Sequence, residues 1–202
     1  MNSANDAMLE ESLRRNPAIF SILARASTLN LPNWYLGAGC IAQTVWNGLH
    51  GFAPSAHIKD YDLVYFDSSD LSYRAEDECI KRGQKCFEDL GLDVEIRNEA
   101  RVHLWYPEHF GKPLEYLDDS GKPNFAYRSV EDAISTWPTT ATSIGVKLDE
   151  KGRFLVFAPF GLNDLFSMVV RPNKRGVPKE VYLEKVQGWT RFWPKLRVIP
   201  WD

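Results

Sequence analysis

Apolar positions along the chain alternate between two periods, and the changes of period divide it into helices and strands. From about Asp6 to Arg15, Met8, Leu9 and Leu13 share one helical face. Asn16-Pro17 then supplies an N-cap and a first-turn proline for a second helix, whose apolar set is Ile19, Phe20, Ile22, Leu23 and Ala26. Leu31-Pro32-Asn33 ends it and leads into a strand over Trp34–Leu36. Beyond a glycine turn, Ile41, Val45, Trp46 and Leu49 fall at helical spacing and predict a helix from Cys40. The spacing predicts strands over Tyr61–Phe66 and Leu92–Arg97. A long polar helix from about Leu71 to Leu90 lies between them, capped by Ser68-Ser69-Asp70 and closed by Gly91. In the later strand Leu92, Val94 and Ile96 share one face, and Asp93, Glu95 and Arg97 the other.

The second half is less regular. Ala100–Phe110 fits neither period, and residues 111–128 are rich in turn formers. Ser129 caps a short helix that stops at Trp137-Pro138. Two apolar runs, Ala141–Leu148 and Arg153–Ala158, flank Asp149-Glu150-Lys151-Gly152 and read as a hairpin. Leu162–Val170 reads as a helix ended by Arg171-Pro172-Asn173, and a last helix starts at Pro178 and carries Val181, Tyr182, Val186, Trp189 and Phe192–Trp193. The 202 residues fit one domain, with a site-bearing core over about 31–111, a supporting part over about 124–202, and a seam at Lys112–Pro123.

The candidate chemistry is concentrated between Trp34 and Asp62. Asp60 and Asp62 are two residues apart, so in a strand both carboxylates project to one side, with Tyr61 and Leu63 on the other. Carboxylates that close repel unless a cation lies between them, and hard divalent ions take such oxygen ligands. Gly37 and Gly39 permit positive φ and close backbone approach. The helix that follows aims free N–H groups at whatever lies above the turn, which favours phosphate. A phosphate cradle beside paired acids is the minimum for metal-assisted phosphoryl or nucleotidyl transfer. Cys40 at that helix start admits two readings, a small buried residue or a thiol activated by the helix end.

Composition narrows the partners. A net charge of −3 provides no broad basic surface and argues against a nucleic-acid partner, while small nucleotides remain open. Three cysteines with no C-x-x-C pair suggest a reduced, cytoplasmic protein. The polar, acidic N-terminus is unlike a signal peptide, and no apolar run approaches the ~20 residues needed to span a bilayer.

Taken together, L-G-A-G-C-I-A from Leu36, D-Y-D from Asp60 and V-E-I-R from Val94 resemble the nucleotidyltransferase fold of the DNA polymerase β superfamily. The runs R-N-E-A-R-V-H-L-W-Y from Arg97, W-P-T-T-A-T-S-I-G-V from Trp137 and F-G-L-N-D-L-F-S-M-V-V-R-P-N from Phe160 are similar to a little-studied family of nucleotidyltransferases in bacteria and fungi. The resemblance implies an α+β fold, a small mixed β-sheet with helices packed around it, plus a C-terminal hairpin and helices. It also implies transfer of a nucleoside monophosphate from an NTP, with Mg²⁺ or Mn²⁺, to a small-molecule or protein acceptor. Asp60, Asp62 and Glu95 would be the catalytic and metal-binding acids, with Asp93 the alternative third acid. Gly37, Ala38, Gly39, Cys40 and Arg97 would bind the nucleotide, with Arg101, Arg128, Arg171 and Lys174 as further charge partners. His57, His103, His109, Thr139, Thr140 and Thr142 are weighed as contacts or as structural residues, and Trp189, Phe192 and Trp193 as core or an interface rather than a base-stacking platform. The turn departs from the superfamily's usual Gly-Gly or Gly-Ser, so a phosphate-touching hydroxyl is missing or displaced. Two other readings stay open: a non-catalytic nucleotide-binding or interaction module of the same fold, and a metal-dependent phosphohydrolase.

Overall fold

The structure, a computed structural model, describes residues 4–202. Helix α1 spans Ala4–Arg14 and α2 spans Pro17–Ala26. Asn16 caps α2, its side-chain oxygen accepting from Ala18 N, and its amide donates to Thr44 Oγ1 at 3.0 Å, which ties the α1–α2 corner to the next helix. Strand β1 (Tyr35–Gly37) runs into α3 (Gly39–His50), and β2 (Tyr61–Tyr65) is followed by α4 (Tyr73–Phe87) and β3 (Val94–Asn98). After α5 (Val102–Phe110) come two short strands, β4 (Tyr116–Leu117) and β5 (Pro123–Asn124), and the short helix α6 (Val130–Ile134). The hairpin is β6 (Gly145–Leu148) with β7 (Phe154–Phe157), and α7 (Asn163–Phe166), β8 (Val169–Val170), α8 (Lys179–Thr190) and β9 (Arg197–Val198) close the chain.

The fold is α+β, built on a five-stranded mixed sheet in the order β3-β2-β1-β6-β7. Strand β1 pairs antiparallel with both β2 and β6, whereas β2 and β3 are parallel, so α4 is the crossover between them. One sheet face carries Leu36, Tyr61, Leu63, Tyr65 and Ile96 into the main core with α1, α2 and α3. Alternation leaves Asp62, Glu95 and Arg97 on the opposite face. Helix α4 packs closely on β3 because position 83 is glycine: an added Cβ would overlap Ile96 Cδ1.

Several expectations shift. The cap of α4 is Ser72, accepting from Ala75 N at 3.2 Å, and Asp70 instead receives Ser72 N, so the helix begins two residues later than its polar run suggests. Residues 102–110, ambiguous in period, form α5 despite Pro107 inside it. The expected helix over Leu162–Val170 is one turn only. Met168 adopts φ 53, which breaks the helix, and Val169–Val170 pair with Arg197–Val198, a strand that no alternation foretold. The C-terminal part supplies two of the five sheet strands, β6 and β7.

Candidate active site

The parallel register of β2 and β3 places Asp62 directly beside Glu95, and the antiparallel register of β1 and β2 places Gly37 on its other flank. Registered partners share a face, so the row Gly37, Asp62, Glu95 lies across the free side of the sheet. The two acids of this row open into a cavity of about 460 Å³, lined also by Ala38, Arg97, Glu99, Trp105, Tyr106, His109, Tyr127, Trp137 and Lys185. Asp93 lies one strand pitch away, in a different cavity against α4 with Lys81 and Lys85. Register alone therefore puts Glu95, not Asp93, next to Asp62.

Asp60 ends the loop before β2 and lines a second cavity, of about 310 Å³, between that loop, α3 and α8. Its charge nevertheless acts on Asp62. Burial first, then the charges of Asp60 and Glu95, raise the Asp62 carboxyl to about 6. Glu95 also pairs with Arg97 at 3.2 Å. Among the described residues no three His, Cys, Asp or Glu side chains converge closely enough to hold a metal ion, so the expected convergence of Asp60, Asp62 and Glu95 on one point is not present. The donor set still fits a hard divalent cation in type and charge: all three are carboxylates, and the cost of crowding them is what a cation removes.

The glycine turn works differently from its sequence reading. Neither Gly37 nor Gly39 has positive φ. The left-handed residue is Ala38, at φ 56 and ψ −122. Gly37 is required for space, because an added Cβ would lie 2.5 Å from Trp137 Cη2. At Gly39 the same atom would meet only the flexible Gln43 amide. Ala38 is the N-cap of α3 and offers no side-chain acceptor, so no cap side chain satisfies the first amides of that helix. Cys40 is buried and its thiol bonds to the Gly37 carbonyl at 3.3 Å. Burial, then the charges of Asp62 and Asp60, push its pKa well above the ordinary value, which overturns the activated-thiol reading in favour of the small buried residue.

Of the expected charge partners, Arg97 alone lines the sheet cavity. Arg101 is committed to buried Glu76, Arg128 to Asp132, and Arg171 to Asp164. Lys174 lies above the Trp201 ring. Besides Arg97, the cation that acts on the acids is Lys185, on α8, which lines both cavities and lowers the Asp62 pKa against the neighbouring acids. The sequence carried no signal for it, since it lies 123 positions beyond Asp62, on a helix whose place against the sheet only packing decides. Glu99 was missed too. It is buried, lines the cavity, and its carboxyl is raised to about 8, first by burial and then by Asp62. The signal available was an acid between Asn98 and Ala100 directly after the acid strand. His109 does line the site, whereas Thr139 and Thr142 are buried and bond each other, and Thr140 bonds Asp164. No described helix is long and apolar enough to cross a membrane, and all three cysteines are free.

A family model described as nucleotidyltransferase matches residues 24–198. A solved structure, described as an NMR structure that reveals a CCA-adding enzyme head domain, is similar over 95% of this chain and 94% of that one, at 26% sequence identity and a TM-score of 0.73. No curated protein matches the chain.

Proposed function

We propose that this chain, which belongs to the nucleotidyltransferase family, moves a nucleoside monophosphate from an NTP to a hydroxyl of a small-molecule or protein acceptor. The observation that carries the reading is Asp62 and Glu95 side by side in register and lining one cavity, with Asp62 raised to about 6 first by burial and then by the neighbouring carboxylates. Asp60, Asp62 and Glu95 would hold Mg²⁺ or Mn²⁺, which when bound supplies charge neutralisation at the phosphates. The uncapped start of α3 at Gly39–Cys40 receives phosphate oxygens through backbone N–H groups. Arg97 and Lys185, which both line the cavity, add positive charge where negative charge builds as the leaving pyrophosphate departs. Glu95 accepts the proton of the attacking hydroxyl. Trp105, Tyr127 and Trp137 give the cavity aromatic walls suited to a flat base.

A second reading, a nucleotide-binding module without turnover, draws on one observation: Glu95 is paired with Arg97 rather than turned toward Asp60. A screen of the four NTPs with Mg²⁺ or Mn²⁺ by thermal shift separates the readings when run beside Asp62→Asn and a product assay. Metal-dependent stabilisation lost in Asp62→Asn, with pyrophosphate released, supports transfer. Binding without product supports the module. Inorganic phosphate in place of pyrophosphate would mark a phosphohydrolase, and no binding by any NTP would refute the nucleotide reading altogether.

A further inference from the structure

We propose that the 310 Å³ cavity on the Asp60 side is the acceptor site, and that it takes a small, uncharged, polyhydroxylated molecule with a flat face, of monosaccharide to nucleoside size. This rests on the transfer reading above and assigns its second substrate. A transferase joining two substrates needs two pockets that meet at the reacting atoms. The two cavities here do so: Asp62 lines one, Asp60 the other, and Lys185 lines both. An acceptor hydroxyl at the Asp60 edge would meet a phosphate held over Asp62. The oxygen–phosphorus bond to the acceptor forms as the bond to the pyrophosphate oxygen breaks, and the hydroxyl proton passes to a carboxylate of the row.

The lining defines the ligand. His57 and Phe192 stack at 4.4 Å between ring centroids, nearly parallel, and Trp193 meets His57 edge-on. His57 holds a left-handed φ of 61 in this stack, a conformation disfavoured for a residue with a Cβ. Phe192 remains 41% exposed, and Trp189 forms a further apolar wall. An aromatic surface left open beside a reactive acid is a platform for the flat face of a ring. Around it, Gln43 offers an amide, and the charges balance: Lys59 and Lys185 against Asp60 and Glu184. Balanced charge gives a polyanionic strand no track to follow, which disfavours an RNA end, and gives no net attraction to a cationic amine. Hydrogen-bonding groups of both polarities around one aromatic face suit hydroxyls, which both donate and accept.

The test uses the full chain and the tryptophan indole N–H resonances, with Trp189 and Trp193 reporting on this cavity and Trp105 and Trp137 on the other. The probes are D-glucose, myo-inositol, adenosine and a short single-stranded RNA. The proposal expects at least one uncharged probe to shift the Trp189 signal saturably with a Kd of about 1–10 mM, and Phe192→Ala to weaken that binding about tenfold. Phe192→Ala is expected to leave the ATP-induced shift of Trp137 unchanged. No saturable Trp189 shift from any uncharged probe overturns the proposal, as does RNA alone producing it, or ATP shifting Trp189 rather than Trp137. Failure of the transfer reading gives a different result, namely no ATP-induced shift at either cavity and no pyrophosphate release.

Discussion

Replacing Glu99 with glutamine should stabilise the free protein, and by an amount that depends on pH. Glu99 is buried beside Asp62, and its carboxyl is raised from the ordinary 4.5 to about 8. Because the folded pKa lies above the unfolded one, the folded chain binds the extra proton between these values, and stability falls as pH rises through that window. At pH 7 the folded chain still holds the proton that the unfolded chain has released. The two and a half pH units from 4.5 to 7, at about 1.36 kcal/mol each, make this cost about 3 kcal/mol. It approaches about 5 kcal/mol above pH 9 and vanishes below pH 4. Glutamine keeps the shape and hydrogen-bonding capacity of the neutral acid and carries no such cost. With a urea slope of about 2 kcal/mol/M, the Glu99→Gln midpoint should rise by about 1.5 M at pH 7 and coincide with wild type at pH 4. Urea titrations at pH 4, 7 and 9 read this directly. A midpoint difference that does not change with pH, or a variant less stable at pH 9, would refute the assignment of Glu99 as a buried, strained acid.

Three further outcomes follow from the same geometry. Ala38→Gly should raise stability by about 1 kcal/mol in urea titration, because φ 56 with ψ −122 is a glycine conformation that alanine occupies under strain. Glu76→Ala should cost about 3 kcal/mol or more, since it strands the Arg101 guanidinium and releases Asn98 N, which donates to Glu76 at 2.9 Å. Equilibrium unfolding measures both. Gly37→Ala should push the Trp137 ring off the sheet, costing about 1–3 kcal/mol and shifting the Trp137 indole resonance before any ligand is added.

Local signals were read well where a single residue decides the backbone. Asn16-Pro17 and Ser129 cap helices as their types predict, and the strand on either side of the acids follows from alternation. The signals failed where tertiary contacts decide. Met168 turns left-handed so that Val169–Val170 can reach Arg197–Val198, a pairing nearly thirty positions away that no local period encodes. The glycine turn shows both at once. Gly37 is glycine because of Trp137, a hundred positions on, while the positive φ that glycine usually signals sits on Ala38. Asp62 and Glu95 could be proposed as neighbours from strand order, but the register that makes them so, and Lys185 facing them from α8, belong to packing.

The charge distribution around the row argues for what the site is built to receive. Four carboxylates, on Asp60, Asp62, Glu95 and Glu99, gather on this side of the sheet, and the cations that line the sheet cavity are Arg97 and Lys185. Arg97 is already engaged with Glu95, so little positive charge is left over for the rest. In the free protein burial first, and then the neighbouring carboxylate charge, raise Asp62 to about 6 and Glu99 to about 8, so protons meet part of the shortfall. A purely structural cluster would be cheaper as amides, which keep the hydrogen bonds without the repulsion. A nucleoside triphosphate alone would add negative charge and raise these values further. A triphosphate arriving with a divalent cation adds a charge of about the right size beside the acids and lets Asp62 ionise. Nucleotide binding with the cation should therefore release protons, seen in calorimetry as a binding heat that varies with the ionisation enthalpy of the buffer. Binding heats that are the same in buffers of different ionisation enthalpy at pH 6 would remove this argument for a cation at Asp62.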